Sequence, residues 1–347
     1  MAMFKPENVE DFYEIGEVLG SGHFGEVRRV RELATGTYWA GKFVKLRKTS
    51  CSLLGLERSR VEQEVEVIQA LQHPNIIALK DVFESRAEVV LILEIGGELF
   101  DFIAEKEILT EDEAIEFMKQ ILDGLGFMHS KNIGHFDLKP ENIMLSDKES
   151  PHPNIKLIDF GLAHQFLPGE EYKSTSGTPQ YIAPEVINGE PLATATDILS
   201  GMSPFQGNTD EDTLRNVVAV DYEFDPQCFS TTSSTAKDFI QKLLVRSPND
   251  RLTAKECLLH PWIKPLTRQQ KANRNRSSIN MKNFKKFNAR RKWKMSYNMV
   301  WICNRLVRLK LLCKGNSDAP ERQCESDAED TESKPASLLR RRLSSSS

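Results

Sequence analysis

Three short stretches in the middle of the chain contain residue types that could transfer a phosphoryl group. They are His135–Asn142, with the sequence HFDLKPEN, Asp159–Gly161, with the sequence DFG, and Ala183–Glu185, with the sequence APE. Phosphoryl transfer needs a base for the proton of the acceptor hydroxyl, a cation near the migrating group and oxygen ligands for Mg²⁺. Each stretch alone is uninformative, but their occurrence together in this order is typical of one kind of active site.

The expected roles of individual residues follow from this known division of labour. We expect Asp137 to act as the base and Lys139 to supply the cation. Asn142 and Asp159 carry the oxygen atoms that Mg²⁺ prefers, and we expect them to be the metal ligands. The sequence thus predicts a magnesium-dependent transfer of a phosphate from ATP to a hydroxyl group.

A glycine-rich stretch, Gly20–Gly25, fits the pattern G-x-G-x-x-G. Glycines allow backbone amides to approach phosphate oxygens closely. The pattern alone is weak, because a dinucleotide-binding turn or an ordinary hairpin has the same letters. Here a strand follows the glycines, whereas a dinucleotide-binding loop opens a helix. The predicted nucleotide-binding residues of this region are Leu19, Gly20, Ser21, Gly22, His23, Phe24, Gly25, Glu26, Val27, Ala40 and Lys42.

Lys42 lies on a predicted strand, 17 residues after Gly25. A lysine on an apolar strand is ordinarily a surface residue that extends its ammonium group into water. Glu64, on a predicted helix, favours a second interpretation, because its carboxylate can direct the ammonium group toward the α- and β-phosphates. We therefore expect a catalytic Lys42–Glu64 ion pair.

The elements that position these residues change character along the chain. Residues 13–45 show the alternation of strands, and residues 57–72 show helical spacing. A short apolar strand is predicted at residues 89–93, and after a capping box at Thr110–Glu113 the pattern is mostly helical. Strands followed by helices predict an α+β fold with a small β-rich lobe and a larger helical lobe.

Charge is distributed unevenly along the chain, although the formal net charge is only −4. Residues 257–317 contain 16 Lys and Arg and no Asp or Glu, whereas residues 1–256 carry a formal net charge of −18. We expect the acidic body and the basic segment to attract each other.

Several classes of protein are disfavoured by composition. No apolar run approaches the roughly 18 residues of a membrane helix, and the charged start MAMFKPENVE argues against a signal peptide. The six cysteines are scattered without a CxxC pair, which indicates reduced thiols. These features predict a cytoplasmic protein.

Within the basic segment, residues 281–314 have the spacing of an amphipathic helix. Trp293, Tyr297, Val300 and Leu306 fall on one face, with basic residues around them. Large apolar anchors flanked by cations are typical of helices that bind the methionine-lined groove of calmodulin. The sequence contains no EF-hand, so calcium would act through Ca²⁺-loaded calmodulin. A nucleic-acid patch, a membrane-surface helix and a domain-capping helix are the alternatives.

We expect this segment to be autoregulatory. Without calcium it would lie on the acidic body and block the substrate groove, and calmodulin would withdraw it. Ser277 and Ser278 follow Arg274 and Arg276, a basic context that favours phosphorylation, although a solvated serine pair is an equal alternative. Phosphorylation there would adjust the affinity for calmodulin.

These motifs resemble those of calmodulin-regulated protein kinases and, within them, of the death-associated protein kinases. Three stretches carry the likeness: Val9–Tyr13 (VEDFY), Gly97–Phe102 (GELFDF) and His135–Leu145. It continues in the tail at Trp293–Lys294 and Cys324–Asp327.

The resemblance implies a domain organisation and a function. It implies a bilobal protein kinase domain at residues 13–262, an autoregulatory calmodulin-binding segment at residues 263–314 and a disordered Ser- and Arg-rich tail at residues 315–347. The implied activity transfers the γ-phosphate of ATP to Ser or Thr of basic proteins such as myosin light chain, in apoptosis and autophagy signalling. A homodimer is also considered from the resemblance.

The resemblance assigns roles to residues between the lobes and in the large lobe. Backbone groups near Glu94 would bind adenine, and Glu98 would contact the ribose or a basic substrate residue. Glu185 and Arg251 would form a buried ion pair.

The chain departs from the family pattern at four places. The basic insert after the third strand, Lys45–Arg60, includes Leu53–Leu56, so its charge is diluted. Phe136 replaces the arginine that often clamps a phosphate on the activation loop, so Ser174–Ser176 need not be phosphorylated for activity. The hinge at residues 94–98 is about two residues shorter. After Asp197 about ten residues of the central helix of the large lobe are missing. A catalytically impaired calmodulin-binding decoy or scaffold is therefore the alternative to an active kinase.

Overall fold

The structure is a computed structural model of the chain. It describes residues 4–22, 25–47, 55–106, 108–146, 150, 152–177, 181–199, 205, 207, 209–224, 229–265, 267–275 and 277–280. All of these residues belong to one compact unit within residues 1–289.

The first part of the chain forms an antiparallel five-stranded sheet. Its strands are β1 (Tyr13–Gly22), β2 (Gly25–Glu32), β3 (Tyr38–Lys45), β4 (Leu79–Glu84) and β5 (Glu88–Leu93), in the spatial order β1-β2-β3-β5-β4. The turn between β2 and β3 contains Gly36 at a φ of 73°, a left-handed conformation that favours glycine. The strands predicted from alternation are confirmed.

One helix, α1 (Arg58–Ala70), packs on this sheet. Val61, Val65 and Ile68 recur at helical spacing and are almost fully buried, and Glu64 is buried with them. The helix begins one residue later and ends two residues earlier than the predicted range 57–72. Residues 71–73, which follow the helix, have no regular structure, and a turn begins at Pro74. A proline disfavours the helical conformation of the residue before it, so a continuing helix is disfavoured here.

The rest of the described chain is mainly helical. The helices are α2 (Leu99–Glu105), α3 (Glu111–Ser130), α4 (Pro184–Asn188), α5 (Thr196–Leu199), α6 (Asp210–Ala219), α7 (Ser234–Leu243), α8 (Ala254–Leu259) and α9 (Arg268–Asn275). Short strands lie between them: β6 (Gly97–Glu98), β7 (Ile108–Thr110), β8 (Ile133–Gly134), β9 (Ile143–Leu145), β10 (Ile155–Leu157), β11 (His164–Gln165) and β12 (Ser278–Asn280). The predicted capping box at the start of α3 is present, with the Thr110 hydroxyl accepting from the Glu113 amide.

Two short strand pairs set the positions of the predicted catalytic residues. In the β9–β10 hairpin Ile143 faces Leu157, so Asn142, just before β9, and Asp159, just after β10, lie at the same end. The β8–β11 pair, with Gly134 opposite His164, fixes the start of the loop that carries Asp137. This geometry brings together residues that are far apart in the sequence.

The helical part is held together by its core and by a buried ion pair. An apolar cluster lies below the loop His135–Asn142, which we call the catalytic loop. Its members include Phe136, Val186, Phe205, Val217 and Leu244. Beside it, the guanidinium of Arg251 binds the carboxylate of Glu185 through two contacts of 2.9 and 3.1 Å, and neither side chain is exposed. Removing one partner of such a pair costs roughly 3–5 kcal/mol. The predicted ion pair is present.

The described part of α5 reaches Leu199, and α6 begins at Asp210. Most of the residues between them, 200–204, 206 and 208, lie outside the described part. The omission after Asp197 therefore stays a prediction. Among the residues described, none of the helices combines the length and apolar character that a membrane crossing requires.

Candidate active site

A cleft of about 980 Å³ lies between the sheet and the helical part. Its walls include most of the predicted nucleotide and catalytic residues: Leu19, Gly20, Gly25, Glu26, Val27, Ala40, Lys42, Glu64, Glu94, Asp137, Lys139, Asn142 and Asp159. Four of these, Lys42, Asp137, Asn142 and Asp159, are separated by up to 117 residues yet line the same cavity. Such convergence requires the tertiary fold.

The glycine-rich stretch lies over one end of the cleft as the β1–β2 hairpin. Ser21 and Gly22 end β1, while His23 and Phe24 lie outside the described residues. A Cβ atom at Gly20 would meet nothing within 4 Å, whereas one at Gly25 would lie 1.8 Å from the Phe43 carbonyl oxygen. Gly25 is therefore required by the close approach of β3, a reason additional to phosphate binding.

Lys42 occupies the centre of an ion-pair network. Its ammonium nitrogen lies 2.7 Å from Glu64 Oε1 on α1 and 3.1 Å from Asp159 Oδ1. Burial by itself would lower the Lys42 pKa, but the carboxylates of Glu64 and then Asp159 outweigh it and raise the pKa. Burial would raise the Asp159 pKa, but Lys42 holds it below its ordinary value. Both groups are therefore charged at neutral pH.

The segment Asp159–Gly161 is held in one conformation. Asp159 has a φ of 62°, which is uncommon for a residue with a side chain. Phe160 next to it is 1% exposed, and its ring lies 5.1 Å from the His135 ring. The buried aromatic ring stabilises the backbone conformation that points the Asp159 carboxylate into the cleft.

Asp137 is tied to its neighbours on the catalytic loop. Lys139 Nζ lies 2.5 Å from Asp137 Oδ2. The Asn142 amide donates to the Asp137 carbonyl at 2.8 Å and to its carboxylate at 3.0 Å. These bonds restrict the side-chain rotamer of the predicted base.

His135 joins the loop that carries Asp137 to Ile158, the residue before Asp159. Its Nδ1 accepts from the Asp137 amide at 3.2 Å, and its Nε2 donates to the Ile158 carbonyl at 3.0 Å, which requires the Nε2–H tautomer. The Ile158 amide in turn donates to the Asn142 carbonyl at 3.0 Å. Asp137 and Asn142 are thus linked by hydrogen bonds through His135 and Ile158, and Ile158 directly precedes Asp159 in the chain.

Asp197 supports the loop from below and was not among the predicted site residues. Its carboxylate has no exposed surface and accepts from the His135 and Phe136 amides at 2.9 and 2.7 Å. A third bond, of 2.9 Å, joins it to His129 Nε2. Phe136, whose φ is 60°, needs such external bonds to remain in a left-handed conformation. No sequence pattern revealed this role, because the bonds depend on a fold contact across 62 residues.

Several mainly apolar residues that line the cleft were also missed. They include Leu93, Ile95 and Gly96 between the lobes, and Met144 and Ile158 below. In the sequence such residues cannot be told from ordinary core residues. At Gly96 a Cβ atom would lie 2.2 Å from the Leu145 carbonyl oxygen, so only glycine fits.

The two predicted hinge glutamates take different positions. Glu94 lines the cleft, accepts from the Ala78 amide at 2.8 Å and forms an ion pair of 2.8 Å with Lys156. Glu98 lies in β6, opposite Met144 of β9, and is not among the residues that line the cleft.

The predicted regulatory residues are only partly described. Ser277 precedes β12 and Ser278 is its first residue. Trp293, Tyr297, Val300 and Leu306 lie outside the described residues.

Known proteins are similar to this chain in sequence and in fold. The family model for the protein kinase domain matches residues 13–263. Death-associated protein kinase 2 of Mus musculus is 51% identical over an alignment that covers 100% of this chain and 97% of the mouse protein. The Homo sapiens protein of the same name is 50% identical with the same coverage. The alignment spans 361 positions, more than the 347 residues of this chain, so the relatives carry residues that it lacks.

Solved structures agree with this result. A twitchin kinase fragment of C. elegans, described as an autoregulated protein kinase with immunoglobulin domains, is 40% identical with a TM-score of 0.74. The match covers 85% of this chain and 66% of that one. Titin kinase with its flanking domains is 35% identical with a TM-score of 0.66, and the match covers 75% of this chain and 48% of that one.

Oxygen donors from Asn142 and Asp159 face a cleft that also holds the Lys42 ammonium, and this set fits a magnesium-bound nucleotide. The protein kinase domain matches most of the chain, and the curated relatives are about 50% identical to it along its entire length. These matches and the geometry of the site identify the family. The chain belongs to the death-associated protein kinase family and is a Ser/Thr protein kinase that uses ATP and Mg²⁺.

Proposed function

We propose that this chain is a catalytically competent kinase in which Asp137 accepts the proton of the substrate hydroxyl. The observation that carries the proposal is the set of hydrogen bonds that joins Asp137 to Asn142 and, through His135, to Ile158, the residue before Asp159. Asp137 is held by Lys139 and Asn142, so little reorganisation is needed before proton transfer. Lys139 also places a positive charge beside the site of transfer.

The nucleotide would be held from the opposite side by Lys42. Glu64 fixes the Lys42 ammonium at 2.7 Å, where it can bind the α- and β-phosphates. Asn142 and Asp159 would hold Mg²⁺, which when bound neutralises phosphate charge. The apolar side chains of Val27, Ala40 and Met144 exclude water from the base-binding end.

One assay tests this proposal. The full chain with Ca²⁺-calmodulin and Mg·ATP should phosphorylate a basic Ser/Thr peptide, and an Asp137→Ala variant should lose at least about 100-fold of that rate, since general base catalysis contributes 10²–10⁴. Equal rates for a folded wild-type chain and the variant would contradict an active kinase. The catalytically impaired calmodulin-binding decoy would then be the remaining interpretation.

The decoy is the second candidate, and one observation favours it. The relatives carry residues that this chain lacks. Against it, Asp197 on α5 makes three hydrogen bonds, two of them to the catalytic loop. We therefore favour the active enzyme, and thermal melting of the full chain separates an unfolded protein from a folded inactive one.

We further propose that residues 263–314 regulate the kinase through Ca²⁺-loaded calmodulin, with Trp293, Tyr297, Val300 and Leu306 as anchors. The start of this segment supports the proposal, because β12, its last described part, pairs antiparallel with β7. The twitchin fragment, described as autoregulated, is a related precedent. The net charge of −18 on residues 1–256 favours a basic inhibitory segment and basic protein substrates, of which myosin light chain is one candidate.

Truncation tests the autoregulation. A chain that ends at Asn280 retains every described residue, and its activity without calmodulin should equal that of the full chain with Ca²⁺-calmodulin. In the full chain Trp293→Ala should weaken calmodulin binding at least about tenfold, since buried aromatic anchors dominate such interfaces. A truncated chain that is no more active than the calmodulin-free full chain would contradict autoinhibition.

Ser277 and Ser278 are the proposed phosphorylation sites within this segment. Because Ser278 is the first residue of β12, a phosphate there would add negative charge beside the β7 pairing. The Ser277→Asp/Ser278→Asp double variant should change the calmodulin Kd relative to the matched double alanine variant, and identical Kd values would support the solvated serine pair. A cytoplasmic location and a homodimer are further proposals, tested by fractionation and by sedimentation.

A further inference from the structure

Residues 4–6 form an arm along the outer edge of the sheet. The Lys5 amide donates to the Val82 carbonyl at 2.9 Å, and the Glu84 amide donates to the Lys5 carbonyl at 2.8 Å, as in a parallel strand pair. Strand β4 is last in the spatial order of the sheet, so the arm occupies an edge whose backbone groups would otherwise be unpaired.

The side chains of the arm fix it on both of its faces. On one face, Lys5 Nζ lies 2.6 Å from Asp81 Oδ1 and 5.3 Å from the centre of the Phe83 ring. The other oxygen of Asp81 accepts from the Tyr13 hydroxyl at 2.5 Å. Phe4, the preceding residue, packs against the main apolar core. Successive side chains of an extended segment point to opposite faces, so both residues anchor the arm at once.

Arg58 connects this arm to α1. Its guanidinium carbon lies 5.7 Å from the centre of the Phe4 ring. The same guanidinium binds the Glu84 carboxylate through both terminal nitrogens, with 2.8 Å between Nη2 and Oε2. Arg58 is the first residue of α1, so these contacts fix the helix start to the end of β4.

The position of α1 determines the position of Glu64. Glu64 lies on the same helix, six residues after Arg58, and its side chain is buried beside Lys42. A helix is nearly rigid over this length, so a displacement at Arg58 moves Glu64 as well. The ion pair at 2.7 Å tolerates little displacement.

We propose that the arm is a built-in clamp on α1, in which Phe4 and Arg58 are positioning residues for the Lys42–Glu64 pair. This inference rests on the proposed catalytic roles of Lys42 and Glu64. The physical basis is a continuous series of contacts. Lys5 pairs with β4, and Phe4 and Glu84 both contact Arg58. Helix α1 then connects Arg58 to Glu64, which binds Lys42.

Kinetics of the full chain with Ca²⁺-calmodulin test the clamp. Phe4→Ala should lower kcat/KM for ATP about tenfold, which corresponds to 1.36 kcal/mol, while KM for the peptide stays the same. Phe4→Tyr retains the aromatic face and should restore the wild-type value. Leu33→Ala, which removes an apolar side chain that is 56% exposed in the same lobe, is the matched control and should change kcat/KM less than twofold.

A double-mutant cycle separates positioning from general stability. If Phe4 acts through Glu64, Phe4→Ala should cost less than about twofold in a Glu64→Gln background. The same tenfold loss of kcat/KM in both backgrounds, or no loss in either, would overturn the clamp. The Asp137→Ala variant tests the proposed function separately, so the two failures can be distinguished. Arg58→Ala should show the same non-additivity, and a loss that adds fully to that of Glu64→Gln would also overturn it.

Discussion

Asp197 shows how a residue without contact to substrate can control the catalytic loop. Its carboxylate binds two consecutive amides, those of His135 and Phe136, and this fixes a left-handed backbone conformation just before Asp137. Hydrogen bonds to a charged group are each worth about 1.5–3 kcal/mol. Their loss therefore bears directly on how often Asp137 occupies its working position.

We expect Asp197→Asn to reduce kcat by about 10- to 100-fold with little change in KM for ATP. The variant replaces one carboxylate oxygen by an NH₂ group, which cannot accept from an amide, and one or two bonds are lost. Steady-state kinetics measure the effect. Asp250→Asn, at an exposed position, is the matched control, and an unchanged kcat in the Asp197 variant would contradict the role.

Lys42 and Asp159 make stability depend on pH in opposite ways. Asp159, whose pKa is lowered, stabilises the fold above the ordinary carboxyl pKa of about 3.9, and this contribution is lost as pH falls through the folded-state value. Lys42, whose pKa is raised, contributes below the ordinary lysine pKa of about 10.4, and this is lost as pH rises through the folded-state value.

We therefore expect Lys42→Met to lower the free energy of unfolding most near neutral pH. Glu64 would remain buried without its partner, which costs roughly 3–5 kcal/mol. The part of the loss that comes from Asp159 should disappear as pH falls through the lowered folded-state pKa of Asp159. Urea denaturation at several pH values measures the difference. Lys80→Met, which removes a partly exposed ion pair with Glu32, should have a much smaller effect, and a Lys42 effect independent of pH would contradict the argument.

At the scale of elements, an aromatic cluster surrounds Phe136, which was predicted to replace the arginine of a phosphate clamp. Phe136 lies 5.8 Å from Phe166 and 5.7 Å from Tyr172, measured between ring centres. Tyr172 also stacks on His164 at 3.7 Å, and its carbonyl accepts from the Leu192 amide at 2.8 Å. Residues 164–172 are thus attached to Phe136 by aromatic contacts that require no modification.

We expect a Ser174→Ala/Thr175→Ala/Ser176→Ala variant to retain much of the wild-type activity. No arginine precedes Asp137, so a phosphate on these residues has no clamp at that position. Peptide phosphorylation rates measure this, and a loss beyond about 100-fold would refute it. Tyr172→Ala in a parallel assay should reduce activity, because it removes the stacking partner of Phe136 and His164.

At the scale of the whole molecule, charge polarity is the feature most relevant to regulation. Residues 1–256 carry a net negative charge, and residues 257–317 carry a net positive charge. Attraction between exposed charges is effective over about 8 Å at physiological ionic strength and about 3 Å at 1 M salt. An inhibitory contact built on charge should therefore weaken as salt is added.

We expect the calmodulin-free activity of the full chain to rise, relative to a chain that ends at Asn280, as the salt concentration increases. The truncated chain lacks most of the basic segment and serves as the control for direct effects of salt on catalysis. The ratio of the two rates at each ionic strength is the measurement. A ratio that does not change with salt would contradict an electrostatic contact.

The sequence by itself determined the chemistry and the order of the elements. The residues Asp137, Lys139, Asn142 and Asp159 stand in short motifs whose spacing is local, and strand alternation and helical spacing are also local properties. For this reason the ATP and Mg²⁺ assignment, the two-lobed α+β fold and the family were predicted correctly. The Lys42–Glu64 pair was predicted only through a known motif, because 22 residues separate its members.

Tertiary structure alone decided which distant residues meet. The bonds from Asp197 to the catalytic loop, the apolar lining at Met144 and Ile158, and the contact of Phe4 with Arg58 have no local pattern. The physical reason is that buried hydrogen bonds and apolar contacts depend on packing between elements, and any buried residue of suitable size looks the same in the sequence.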